Sequence, residues 1–262
     1  QTNGIFGAMD KLENKQLIVL KLGSSTLTAG TNRISRGKME DVARQIVALQ
    51  ETCRVVLVSS GAIATARQFI DIANWQNAVA SKQAMSAIGQ PKLMQMYSEV
   101  FGDFGIRIAQ CLMTYRDFEN EESKKNTVNT IYELLRHNYL PIINENDTVA
   151  VEELILGDND KLSALVASLL GAGKLIIASD IDGLYDKNPH QYADAKMINI
   201  VKDIDAVAPF VDSSTSKLGT GGMISKLDAA RICTAKGIEV VIVNGGRNNF
   251  LADCLAGVIP ST

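Results

Sequence analysis

The sequence predicts an α/β protein, a three-layer αβα sandwich with a mainly parallel central sheet. Three observations lead there. Short, continuously apolar runs of strand length recur along the chain, among them LIVLKL (17–22), RVVLV (54–58) and EVVIV (239–243). Segments with apolar residues three and four apart alternate with these runs. The polar, glycine-bearing or amide-rich segments 23–25, 59–61, 144–147, 179–183 and 244–247 each follow a strand. Runs that are apolar throughout suit strands covered on both faces, and strands alternating with helices pair in parallel. With 262 residues, 46% of them hydrophobic, the chain is long enough to bury such a core as one large domain or two closely joined lobes.

The elements follow in order. After LIVLKL and Gly23-Ser24-Ser25, Ser35 caps a helix predicted to run to about Thr52, with Met39, Val42, Ile46 and Leu49 on its inner face. RVVLV closes at Ser59-Ser60-Gly61, and Ile63 and Ala66 begin a helical spacing. A helix covers roughly 78–103, with a kink or break expected at Gly89-Gln90-Pro91. IRIAQCLM (106–113) is a strand, 121–137 a helix, and LPIIN (140–144) a strand whose proline belongs at its start or on an exposed edge. Val149–Leu156 is read as a small hairpin. LSALVASLLGAG (162–173) is a buried helix, capped by Asp158 or Asp160, and KLIIAS (174–179) a strand. Asp182-Gly183 and Asn188-Pro189 mark turns, Lys226–Lys236 is helical, and EVVIV is the last strand.

Composition narrows the function. With 26 Lys+Arg against 29 Asp+Glu, a net charge of −3 and 5% aromatics, no basic or stacking surface for nucleic acid is expected. No stretch approaches the roughly 18 apolar residues of a membrane span. The opening QTNGIFGAMDKLENK lacks a signal-peptide pattern and reads as a lead-in or tag remnant (1–15), leaving 16–262 as a single domain. The four cysteines form no ligand or redox motif and read as reduced core residues of a cytoplasmic protein. His137 and His190 stand outside any motif, so a nucleophile–histidine arrangement for acyl transfer is disfavoured.

The remaining polar residues describe an anion site. In parallel sheets ligands gather at the carboxyl ends of the strands, so the segments after the strands share one rim. Lys21 ends a buried strand beside Gly23-Ser24, where backbone N–H groups can approach an anion, and Ser59-Ser60-Gly61-Ala62 repeats the device. Asn144-Glu145-Asn146-Asp147 and Gly157-Asp158-Asn159-Asp160 supply carboxylates and amides that suit a zwitterion. Leu218-Gly219-Thr220-Gly221-Gly222-Met223-Ile224-Ser225-Lys226 is a flexible loop entering a helix, apt for nucleotide phosphates, with Lys226 one turn in. Lysines and phosphate cradles without an evident base fit phosphoryl transfer to a carboxylate, which needs no deprotonation. Neither a Walker A loop nor a G-x-G-x-x-G fingerprint is present.

KLGSSTLT, LVSSGAIA, SKQAMSAIGQPKL, LPIINENDTVAVEE, GDNDKLSALVA, SDIDGLYDKNP and LGTGGMISKLDAA stand in the order and spacing of the glutamate 5-kinases. Residues 16–257 therefore resemble that branch of the amino acid kinase family, and INEND, GDND and LGTGGM-x-x-K separate it from acetylglutamate, aspartate, carbamate and uridylate kinases. The resemblance implies the amino acid kinase fold, with an amino acid lobe over about 16–160 and a nucleotide lobe over about 161–262. It implies phosphorylation of the L-glutamate side chain to L-glutamyl 5-phosphate, the first step of proline biosynthesis, with ATP as co-substrate and Mg2+ on its phosphates. Lys21 and Lys226 then meet the transferring group, and Asp160 holds them. Ser60, Gly61, Asn144, Asp147, Asp158 and Asn159 bind glutamate. Lys21, Gly23, Ser24, Ser179, Asp180, Thr220, Gly221, Gly222, Met223 and Lys226 bind the nucleotide, and no dedicated metal ligands are named. Proline as feedback inhibitor and a homo-oligomer, dimer or tetramer, paired through the 78–138 helices, are usual in that branch. The end at Thr262 resembles the short members without a C-terminal PUA domain. Other readings are a family member acting on a different carboxylate or phosphate, and a silent nucleotide-binding sensor.

Overall fold

Six apolar runs become six parallel strands of one sheet. The computed structural model describes residues 15–71, 75, 79–150, 159–187, 192–212 and 222–262. In chain order the elements are β1 (Gln16–Leu22), α1 (Ser24–Thr28), α2 (Arg36–Leu49), β2 (Cys53–Ser59), α3 (Ala62–Ala66), α4 (Val79–Gly102), β3 (Arg107–Met113), α5 (Glu121–Arg136) and β4 (Tyr139–Glu145). There follow α6 (Asp160–Leu170), β5 (Lys174–Ser179), the short β6 (Leu184–Tyr185) and β7 (Met197–Ile198), α7 (Ile204–Asp212), α8 (Gly222–Thr234), β8 (Glu239–Asn244) and α9 (Phe250–Leu255). The sheet order is β3-β4-β2-β1-β5-β8, and β6 and β7 form a separate antiparallel ribbon.

Alternation along the strands divides the core into two layers. On one side Ile18, Leu20, Leu22, Leu57 and Ile176 meet α2, α4 and α9 through residues such as Ile46, Tyr97 and Phe250. On the other, Val19, Val56, Val58, Leu175 and Ile177 meet α5, α6 and α8 through Ile131, Val166 and Ala229. Covering both faces gives the three layers read from the sequence. Because all six strands run the same way, their carboxyl ends share one rim. Lys21 has the parity of Val19, so its side chain leaves the sheet toward α6 and α8.

Packing overturns one local reading and narrows another: of the kink or break expected at Gly89-Gln90-Pro91, the break does not occur. Helix α4 runs unbroken through Gly89-Gln90-Pro91. The apolar face on both sides of Pro91 (Met85, Leu93, Met94, Tyr97) is anchored in the interior, and that contact outweighs the lost N–H. Pro141 sits at neither the start nor the edge: it is third in β4, which lies between β3 and β2. The ladder to β2 begins only at Ile142, just past the proline, so the missing donor is tolerated. Other boundaries shift slightly. Helix α2 stops at Leu49 rather than Thr52, with Ser35 Oγ accepting from Lys38 N as its cap, and α6 ends at Leu170 with Gly171 in the left-handed region. The hairpin read over 149–156 and the Asn188-Pro189 turn lie largely or wholly outside the described residues.

Two glycines set the rim. Gly61, at φ 108°, turns the chain from β2 into α3 in a conformation other residues rarely adopt. Gly89 is demanded by proximity: a Cβ there would collide with the Ala62 carbonyl oxygen. That approach seats α4 directly against α3 and the turn that carries Ser60. Gly89→Ala is expected to destabilise the fold by about 3 kcal/mol or more in urea unfolding. Gly102→Ala, in the same helix with open space around it, should be neutral or stabilising by up to about 1 kcal/mol.

Candidate active site

The last polar residue of β1 and the heads of two helices meet behind the rim. Lys21 Nζ lies 2.6 Å from Asp160 Oδ1, and Lys226 Nζ lies 3.0 Å from Asp160 Oδ2. All three side chains are buried, Asp160 completely. Ser225 Oγ donates to the same Oδ2 at 2.9 Å, and Lys226 Nζ donates to the Gly222 carbonyl at 3.3 Å. Burial alone would drive the Asp160 carboxyl up. The adjacent Lys21 and Lys226 ammoniums, by charge and by hydrogen bonding, outweigh burial and hold it down at about 2. Asp160 is therefore no helix cap, contrary to the sequence reading. Asn159 occupies the cap position without a side-chain cap bond, and Asp160 spends its oxygens on cations. Asp158, the other candidate cap, lies outside the described residues.

Asn159, next in the chain, opens a second cluster. Its Nδ2 donates to Asn144 Oδ1 at 2.7 Å and to Ser60 Oγ at 3.1 Å. Ser60 itself is tied to β1 by its backbone N–H on the Leu22 carbonyl. Asp147 accepts from Ser86 Oγ of α4, and burial pushes its carboxyl above the usual range despite that bond. Ser60, Asn144, Asp147 and Asn159 are all buried. Asn159 Oδ1 and Asp147 Oδ1 are buried acceptors that receive no hydrogen bond from any described residue. Buried acceptors of this kind call for a donor.

The structure thus brings Lys21, Asp160 and Lys226 together, and Ser60, Asn144 and Asn159 together. The residues read as nucleotide-binding are more dispersed. Gly23 is buried beside Lys21, and a Cβ there would come within 3.5 Å of the Lys21 ammonium. Ser24 is exposed at the head of α1. Ser179 Oγ donates to the exposed Asp180 at 3.1 Å. Gly222 starts α8, and Met223 packs against the small cluster of Leu184, Val207 and Leu227. Thr220 and Gly221 lie outside the described residues. Sequence reasoning did not single out Ser86 and Gln90 of α4, whose side chains join Asp147 and Asn144. Their trace in the sequence is only two polar residues four apart; that they share a buried helix face is known from the structure.

Other side chains offer little chemistry. His137 is exposed beside Glu133, and all four cysteines are free. Among the described residues no three His, Cys, Asp or Glu side chains are grouped as metal ligands, and no helix is long and apolar enough to cross a membrane.

The model of the amino acid kinase family matches residues 16–244. The chain belongs to that family. Within the amino acid kinase family it is similar to curated glutamate 5-kinases. That of Haemophilus influenzae (strain Rd) is 42% identical over 242 residues, 92% of this chain and 66% of the relative. That of Sodalis glossinidius is 40% identical over 253 residues, 96% and 69%, and that of Caldanaerobacter subterraneus is 43% identical over 242 residues, 92% and 65%. The chain thus spans about two thirds of the length of the curated relatives it matches. Solved structures share the fold at low identity. UMP kinase from Ureaplasma parvum aligns at a TM-score of 0.65 with 16% identity, over 95% of this chain and 97% of that one. Carbamate kinase from Giardia lamblia bound to AMP-PNP also aligns at 0.65 with 16% identity, over 94% and 97%.

The carboxylate at the centre of this amino acid kinase site makes acid sensitivity specific. Its folded value near 2 lies below the unfolded value near 3.9, so its stabilisation is complete above about pH 4 and fades as pH falls toward 2. Asp160→Asn strands two buried ammoniums, and is expected to cost about 3–5 kcal/mol at pH 7 in denaturant unfolding. The difference from the parent should shrink steadily between about pH 4 and pH 2.

Proposed function

We propose that this chain transfers the γ-phosphoryl group of ATP, carried in as its magnesium complex, to the side-chain carboxylate of L-glutamate. The observation that carries this reading is the single buried carboxylate, Asp160, that holds Lys21 and Lys226 side by side next to Asn159. A glutamate carboxylate oxygen attacks the γ-phosphorus, the bond to the β,γ-bridging oxygen breaks, and ADP leaves with that electron pair. No proton has to be removed from the acceptor, which suits a site without an evident base. Lys21 and Lys226 neutralise charge on the moving group in a buried setting, where such contacts are worth most. The unsatisfied Asn159 Oδ1 and Asp147 Oδ1 suit the α-ammonium, and Ser60 and Gly61 bring a hydroxyl and a turn to the acceptor's carboxylates. Gly23, Ser24, Ser179, Asp180 and the residues from Gly222 to Lys226 line the nucleotide end, and Thr220 and Gly221 belong to it by the sequence motif. The similarity to curated glutamate 5-kinases supports glutamate over other acids.

On the same reading the amino acid is held by the lobe up to about 160 and the nucleotide by the remainder. The product, L-glutamyl 5-phosphate, opens cytoplasmic proline biosynthesis. Proline acts as feedback inhibitor of a dimer or tetramer paired through the 78–138 helices.

Incubation with ATP, magnesium, glutamate and hydroxylamine is expected to yield γ-glutamyl hydroxamate, reduced by added proline. Absence of hydroxamate with glutamate, alongside turnover of another acceptor, would assign the chain a different substrate. Lys21→Ala and Lys226→Ala should retain the parental circular dichroism and lose at least about 100-fold in kcat. Near-parental turnover in either would remove that lysine from the reaction.

A further inference from the structure

We infer that Gln90 of α4 is a positioning residue for the acceptor amino acid: it holds the Asn144 amide, and through it the Asn159 amide, so that Asn159 turns an oxygen toward the substrate ammonium. The inference rests on the glutamate reading above and deepens it.

Donors and acceptors settle the orientation of each amide. The backbone N–H of Glu145 donates to Asn144 Oδ1 at 2.9 Å, and a backbone N–H can only donate. Asn144 Oδ1 therefore faces that N–H, and its Nδ2 must point the other way, where it donates to Gln90 Oε1 at 3.0 Å. Asn159 meets the same Asn144 oxygen with its own Nδ2, whose second hydrogen goes to Ser60 Oγ. With both hydrogens committed, Asn159 Oδ1 is on the branch away from Asn144 and Ser60, without a hydrogen bond from any described residue. Asp147, held from α4 by Ser86, offers a further buried oxygen without a hydrogen bond from any described residue. A buried amide oxygen left without a donor can accept one from an ammonium.

Gln90 is the member that makes this order hold. Its carbonyl is the acceptor that the structure provides for Asn144 Nδ2, and Gln90 is itself buried. Its own Nε2 leans toward Gln110 Oε1 on β3 at a longer 3.4 Å. Its place is set by the backbone, because neighbouring Gly89 lets α4 press against Ala62. Without the Gln90 carbonyl, a buried N–H2 loses its partner, and the Asn144 amide shifts from its seat to find another. Asn159 then loses the fixed acceptor of its Nδ2, and its oxygen is no longer held toward the ammonium. Gln90 thus acts on substrate preference without touching the transferring phosphoryl group.

The test compares L-glutamate with glutarate, the same dicarboxylate without the ammonium, in the hydroxamate assay. In Gln90→Met the KM for glutamate is expected to rise about tenfold, with the KM for ATP and the turnover of glutarate unchanged. The preference for glutamate over glutarate then falls by the same factor. Gln90→Glu keeps an oxygen toward Asn144 and should restore the preference. Gln90→Asn, which withdraws the carbonyl by one methylene, should shift it in the same direction as Met and serves if Met does not fold. Equal losses on both acceptors, an effect on kcat alone, or an unchanged preference would overturn the inference while leaving the glutamate reading intact. A parent that makes no hydroxamate from glutamate would overturn both.

Discussion

One carboxylate between two ammoniums is the constraint on which the rest of this molecule turns. Two lysines brought together in a protein interior repel each other and lose their hydration, and neither would stay charged there without a counter-ion. Asp160 resolves both problems, and its own burial is tolerated only because the lysines are present. The three elements that deliver these groups, the end of β1 and the heads of α6 and α8, must therefore meet at one point. The sheet and the helix layer above it are arranged so that they do. Lys21 is reached from the strand by parity alone, whereas Lys226 depends on α8 starting at Gly222 over the Leu184, Val207 and Leu227 cluster.

The adjacency of Asn159 and Asp160 then joins two chemically different clusters. Consecutive residues at a helix head point in different directions, so one peptide unit can serve a cationic cluster with one side chain and an amide cluster with the next. Their relative placement is set by covalent geometry and not by a flexible contact. Phosphoryl transfer depends chiefly on positioning and charge neutralisation, and a rigid spacing between the two clusters meets that demand.

Packing around the rim favours close backbone approach over local propensity. Gly89 inside α4 and Pro91 two residues later both weaken a helix taken alone. Here the glycine admits the Ala62 carbonyl, and the proline is carried by buried neighbours on both sides. The result is a helix that reaches the acceptor cluster with Ser86 and Gln90 on one face. Local rules give way where the acceptor cluster gains most from it.

The sequence by itself determined the architecture and the chemical inventory. Uninterrupted apolar strands require cover on both faces, and that requirement dictates a parallel sheet and a single rim for the segments after the strands. The same reading marked the segments that carry Lys21, Ser60, Asn144, Asn159, Asp160 and Lys226, and the resemblance to the glutamate 5-kinases picked those residues out within them. Only the tertiary structure decided which of them meet. That Asp160 bridges both lysines, and does not cap its helix, depends on a contact between residues 66 positions apart that no local pattern encodes. The parts played by Ser86 and Gln90 stayed hidden for a related reason. A polar residue on a helix is ordinary in sequence, and its meaning comes from the buried partner that faces it across the chain.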